Sequence, residues 1–193
     1  MAEPTRVVLT GGPGAGKTTA ADLLRREVGD RIVVVPETAT MLFGGGFPRR
    51  EEPRAKCRAQ EAIFHVQRRL EEVFALTYPH RVLLCDRGTV DGAVYYPGEV
   101  DDFFAGLGTT LDAELARYDH VIFFETAAVG GISIEGGNPV RNESEEQAVT
   151  IDAALRSLWE KHPRFTLIEH QRSFLDKTFA AVKLLESIIN GGS

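Results

Sequence analysis

Residues 11–18 read Gly-Gly-Pro-Gly-Ala-Gly-Lys-Thr, and no other stretch of this chain narrows its possible folds so far. The string matches G-x-x-x-x-G-K-[ST], with an apolar run at 6–10 before it and a helical pattern at 17–28 after it. A loop of this composition, between a strand and a helix, wraps around phosphate oxygens. Its glycines let the backbone come close and turn successive N–H groups inward, which side chains at Gly11, Gly12, Gly14 and Gly16 would obstruct, with Pro13 and Ala15 between them. Lys17 brings a positive charge to the β- and γ-phosphates, Thr18 offers a hydroxyl to Mg²⁺, and Thr19 follows in the first helical turn. The helix directs its positive dipole end at the same anion. The ligand expected is the triphosphate of ATP or GTP with Mg²⁺.

Short runs of branched apolar residues recur at 6–10, 31–36, 81–86, 120–125 and 165–169, with helical patterns between them. That alternation is the mark of an α/β chain with a parallel sheet covered by helices on both faces. Helices are expected at 17–28, 144–162 and 173–189, and a longer one lies between the second and third strands. In the latter, Ala55, Ala59, Ile63, Val66, Leu70, Val73 and Phe74 recur at helical steps and define the apolar face. Arg58, Glu61, Arg68, Glu71 and Glu72 define the polar one. Two segments break the alternation, 43–53 and 127–139, both rich in glycine; long connections of that kind are more often lids or substrate loops than spacers. At 193 residues the chain, 1–193, fits a single domain.

The strand Val82-Leu83-Leu84-Cys85 ends in Asp86, which delivers a carboxylate to the edge of the sheet where ligands of such folds bind. There Asp86 is a candidate Mg²⁺ ligand beside Thr18, directly or through water, and Arg87 beside it is a candidate phosphate contact. Asp86 also suits the N-cap of a following helix, and the two roles are compatible. Glu37 stands at the end of the second strand, on the same edge, where a helix N-terminus would also favour it.

The net charge of -6 argues against a nucleic-acid partner, since the field repels phosphate backbones and the basic stretch 49–58 is interrupted by Glu51 and Glu52. Two cysteines, Cys57 and Cys85, are too few for a disulfide framework and suit the reducing cytosol. No apolar run has the length of a membrane span, no signal-peptide pattern opens the chain, and no histidines have zinc-ligand spacing. A cytoplasmic protein, monomeric or homodimeric, is expected.

Taken together, GGPGAGKTT, the strand ending in Pro36-Glu37-Thr38, the string Cys85-Asp86-Arg87-Gly88-Thr89-Val90-Asp91-Gly92 and the late Arg141-Asn142-Glu143 give the chain a family likeness. It resembles the AAA-type P-loop family that contains the nicotinamide riboside kinase domain of bacterial NAD regulators and the TRPL-translocation-defect ATPases. That family is similar in fold to deoxynucleoside and thymidylate kinases. The resemblance implies a three-layer P-loop NTPase fold with a five-stranded parallel sheet in the order 2-3-1-4-5. By position it implies that Glu37 is the base, Arg87 the phosphate contact and Arg141 the lid residue that closes over the nucleotide. Gln60 and Gln67 fall roughly where nucleoside kinases read a base, although an exposed polar helix face accounts for them as well.

Phosphoryl transfer asks for these residue types independently of any likeness: an acceptor oxygen in line with the γ-phosphate, a carboxylate, and one or two arginines around the developing charge. Tyr95, Tyr96, Phe103 and Phe104 either line an acceptor pocket or belong to the core, and Trp159 reads as packing. Two readings follow. In one the protein is a small-molecule kinase acting on a nucleoside-like or other small hydroxyl acceptor; in the other it is a regulatory nucleotide-binding module that controls a partner. A hexameric motor lacks support, because Cys85-Asp86-Arg87 is not the Asp-Glu pair such motors carry.

Overall fold

The apolar runs become five short strands in a computed structural model that describes residues 3–130, 144–171 and 173–191. They are β1 (Arg6–Thr10), β2 (Ile32–Val35), β3 (Val82–Asp86), β4 (His120–Phe124) and β5 (Phe165–Ile168). All pairings are parallel, and the order is β2-β3-β1-β4-β5, as the family likeness implies. Strand bounds lie within a residue or two of those read from the sequence.

Register sorts the side chains. Val8 sits between Cys85 and Val121, and these three share one face; Leu9 and Ile122 are paired on the other. Each face buries its own core. Beneath Val7, Leu9, Ile122 and Phe124 pack α1 (Lys17–Val28) and α8 (Phe174–Ile189), through Ala20, Leu24, Ala181 and Leu185. Against the opposite face lie α3 (Pro53–Thr77) and α7 (Glu145–Trp159), through Phe64, Leu155 and Trp159. The short helices α2 (Thr38–Gly44), α4 (Gly92–Tyr95), α5 (Val100–Gly106) and α6 (Leu111–Leu115) fill the connections. Phe103 and Phe104 of α5 are core residues, and Tyr96 packs half-buried against them. Trp159 is fully buried beside Tyr118, ring centroids 5.4 Å apart, so its reading as packing holds.

Local chemistry sets the helix ends. Glu52 caps α3 by accepting from the Arg54 and Ala55 amides, with Pro53 in the first turn, and Ser144 and Gln147 form a capping box at the start of α7.

The rotation of α3 differs from the one read off its periodicity. Val66 and Val73, expected inward, are 37% and 55% exposed, while Glu71, expected outward, is fully buried. The buried stripe runs through Phe64, Gln67 and Glu71 instead. The reason is a polar network: Glu71 accepts from Gln67 Nε2 (3.0 Å), Tyr118 Oη (2.8 Å) and Arg117 Nη2 (2.6 Å). A buried carboxylate supplied with three donors, one of them charged, is tolerable where an unpaired one is not. Gln67 is likewise inside, not on an exposed polar face. Among the described residues no helix is long and apolar enough to cross a membrane.

Candidate functional site

Residues 11–16 link β1 to α1 in a turn that only glycine permits at its first position. Gly11 has φ 137°, and a Cβ there would lie 1.9 Å from the Phe124 carbonyl oxygen of the neighbouring strand. Gly14 and Gly16 also have positive φ, 73° and 83°. No side chain caps the N-terminus of α1 and no acid stands in its first turn, so its positive end faces the loop. Lys17 is buried and curls back, donating to the Gly11 (2.7 Å) and Gly12 (2.8 Å) carbonyls.

The strand ends bring the other expected residues to this edge. Thr18 Oγ1 donates to Asp86 Oδ2 across 3.0 Å, while Asp86 Oδ1 is buried with no hydrogen-bond partner among the described residues. Burial, reinforced by the charge of Glu37, raises the pKa of the Asp86 carboxyl. Asp86 is not a helix N-cap, because α4 starts only at Gly92 with Asp91 at the cap position. An orphaned carboxylate oxygen next to a threonine hydroxyl is a donor set that fits a small hard cation such as Mg²⁺.

Arg87 is buried, has φ 70° and is the one non-glycine among the described residues with positive φ. Its Nε donates to Glu37 Oε1, its Nη1 to Asp91 Oδ1 (3.0 Å), and its guanidinium lies 5.6 Å from the Tyr95 ring centroid. Asp91 ties this turn to β1: it also accepts from Thr10 Oγ1 (2.6 Å) and the Gly88 amide (2.9 Å). In the sequence, Asp91 stands out only as a member of the 85–92 string. Glu37, Asp86 and Arg87 are thus gathered at the end of the sheet beside Lys17 and Thr18.

A cavity of about 700 Å³ adjoins this cluster, with Pro13, Glu37 and Arg87 in its wall. Helix α3 contributes Gln60 and Gln67; Gln67 Oε1 accepts from Thr38 Oγ1 at 2.6 Å. Of the four aromatics considered, Tyr95 lines the cavity, whereas Tyr96, Phe103 and Phe104 do not. Phe43, Arg49, Arg50 and Glu51 border it too, which puts four residues of the segment 43–53, though none of its glycines, at the site. From α7 come Glu146, Gln147, Thr150 and Ile151. Arg141 and most of the segment 127–139 lie outside the described residues.

Three residues escaped the sequence reading altogether. Asp152 Oδ1 accepts from the Gly12 (2.7 Å) and Thr126 (3.0 Å) amides, Thr126 Oγ1 donates to the Pro13 carbonyl (2.6 Å), and Lys177 Nζ donates to the Ala15 carbonyl (3.1 Å). Two left a trace in the sequence. Asp152 interrupts the buried series Ala148, Leu155, Trp159, and Lys177 begins the buried series Ala181, Leu185; a charge on the apolar stripe of a helix is the signal.

A solved structure described as deoxyadenosine kinase from M. mycoides with bound dATP superposes over 95% of this chain and 100% of its own, with a TM-score of 0.59. At 15% identity, the likeness is one of fold. A search of curated protein sequences found no match. A family model described as AAA domain matches residues 6–176, nearly the whole chain, including the loop, the strand that ends in Asp86 and the helix that carries Asp152. Sheet order, phosphate-loop geometry and this match agree, and the chain belongs to that AAA-domain family of P-loop proteins.

Proposed function

We propose that the protein is a Mg-dependent kinase that moves the γ-phosphate of ATP or GTP to a hydroxyl of a nucleoside-like or other small acceptor bound in the 700 Å³ cavity. The observation that carries this reading is the Arg87–Glu37 pair, which stands where the phosphate loop and the cavity meet. A module that only bound nucleotide would have no need of a carboxylate and guanidinium on the wall of an adjoining cavity.

In this reading, the amides of residues 14–18 and Lys17 hold the β- and γ-phosphates. Lys17 leaves the Gly11 and Gly12 carbonyls to do so. Thr18 and Asp86 would hold Mg²⁺, which would supply neutralising charge at the phosphates. Glu37 accepts the proton of the attacking hydroxyl as the acceptor oxygen bonds to the γ-phosphorus and the bond to the β-phosphate bridging oxygen breaks, releasing the nucleoside diphosphate. Arg87 keeps Glu37 oriented and gives positive charge to the transferring group. Arg141 is assigned to the lid over the γ-phosphate.

The test is transfer from Mg·ATP and Mg·GTP to a panel of nucleosides, nucleotides and pyridine ribosides, read as acceptor-dependent diphosphate release. Glu37→Gln is expected to lower turnover by about 10²–10⁴-fold with nucleotide affinity kept. Lys17→Ala is expected to abolish nucleotide binding. Acceptor-independent turnover across the whole panel would overturn the kinase reading in favour of a regulatory nucleotide-binding module.

A further inference from the structure

The glycines that let the phosphate loop approach its ligand also leave its peptide planes free to turn over. Amides must point inward to bind phosphate, so something outside the motif has to fix them. We infer that Thr126, Asp152 and Lys177 are positioning residues of the phosphate site, each holding one alternate peptide plane of the loop from its outer side. The inference rests on the nucleotide-binding part of the reading above.

The geometry is that of the trans peptide, in which the C=O of one residue and the N–H of the next point in opposite directions. Thr126 Oγ1 donates to the Pro13 carbonyl (2.6 Å), so the Gly14 N–H is turned away from Thr126. Lys177 Nζ, held by the Glu125 carbonyl (2.5 Å), also donates to the Ala15 carbonyl (3.1 Å), and the Gly16 N–H is turned away from Lys177 in the same manner. At the third plane the polarity is reversed. Asp152 takes the Gly12 N–H (2.7 Å), which swings the Gly11 carbonyl to the opposite side, where it receives Lys17 Nζ (2.7 Å). One buried side chain therefore serves each of the planes 11–12, 13–14 and 15–16, and the plane Asp152 holds is the one that parks the motif lysine.

All three residues are buried, with 0%, 4% and 3% exposure for Thr126, Asp152 and Lys177. They approach from different elements: Thr126 from the end of β4, Asp152 from α7 on one face of the sheet and Lys177 from α8 on the other. Two buried charges are an expensive way to fill space. Hydrogen bonds to fixed backbone groups give a purpose to that expense. Asp152 also links the two halves of the site, since Thr150 and Ile151 beside it on α7 line the cavity.

The experiment measures Kd for Mg·ATP and Mg·GTP by calorimetry, with melting of the nucleotide-free protein, for paired variants. Thr126→Val keeps the shape and loses the donor, whereas Thr126→Ser keeps the donor. Asp152→Ala loses the acceptor, whereas Asp152→Asn keeps it. Nucleotide affinity is expected to fall about tenfold or more in Thr126→Val and Asp152→Ala, and to stay within about threefold of wild type in Thr126→Ser and Asp152→Asn. Amide spectra of the wild-type protein supply a reading that needs no variant. On addition of Mg·ATP the Gly14 and Gly16 amide protons should shift, while that of Gly12, already engaged by Asp152, should stay in place. Wild-type affinity in both disabling variants, or a Gly12 shift as large as those of Gly14 and Gly16, overturns the inference alone. Failure of the wild-type protein to bind either nucleotide overturns the nucleotide-binding reading and this inference with it.

Discussion

Burying Lys177 leaves a signature in how stability varies with pH. Desolvation lowers its pKa from the ordinary 10.5 to about 8, although Asp152 and Glu125 pull the other way. Between those two values the unfolded chain carries a proton on this amine that the folded chain has released, and stability rises with pH wherever the unfolded state binds more protons. Burial of the ammonium therefore costs stability in full below about pH 8, and the cost is relieved as pH rises toward 10.5. The pKa gap of about 2.5, at roughly 1.4 kcal/mol for each, amounts to about 3 kcal/mol, and with Lys177 only 3% exposed little is lost to solvent screening. The perturbation is Lys177→Met, which keeps the volume and removes the titration. Urea unfolding of both proteins from about pH 7 to about pH 10.5 gives the difference in free energy with every other group cancelled. Relative to the methionine variant, wild type should gain about 3 kcal/mol across that window. A flat difference would refute the argument by showing the amine to be solvated. A difference that falls with pH would show that Asp152 and Glu125 outweigh burial.

Two further outcomes test the backbone and the core. Gly11→Ala would set its Cβ 1.9 Å from a backbone oxygen of β4 that cannot move aside, whereas Gly29→Ala, at φ 67°, has nothing within 4 Å. The first should cost at least about 2 kcal/mol and abolish nucleotide binding, the second about 1 kcal/mol with binding unchanged; similar melting temperatures for the two would count against the loop geometry. Glu71→Ala removes the acceptor of Arg117 Nη2, Tyr118 Oη and Gln67 Nε2 and should cost about 3–5 kcal/mol in chemical denaturation. A loss under about 1 kcal/mol would mean that solvent reaches the network.

What could be read in the sequence is what local chemistry determines. The phosphate loop, the five strands and the bounds of α1 each depend on residues within a dozen positions of one another, and all are where the patterns put them. The rotation of α3 was not legible. Glu71 looks like any solvated glutamate until Arg117 and Tyr118, 46 and 47 residues away, fold against it, and Val66 and Val73 then turn outward with the helix. The site divides in the same way. Glu37, Asp86 and Arg87 announce themselves by standing at strand ends, but the bond between Glu37 and Arg87 spans 50 residues and that between Thr10 and Asp91 spans 81. Thr126 carried no signal at all, since a threonine after a strand is commonplace and its partner Pro13 lies 113 residues earlier.

The sheet also divides the hydrophobic interior in two. Side chains of α1 and α8 fill the compartment behind the phosphate loop, and those of α3, α5 and α7 fill the one behind the cavity, with a single layer of backbone as the wall between them. Substitutions that reshape Phe64, Phe103 or Leu155 therefore leave the packing under Ala20, Leu24 and Ala181 alone. On the proposed reading, a lineage carrying this architecture can exchange its acceptor by remodelling the cavity-side compartment, provided that Asp152, which reaches the phosphate loop from α7, is kept.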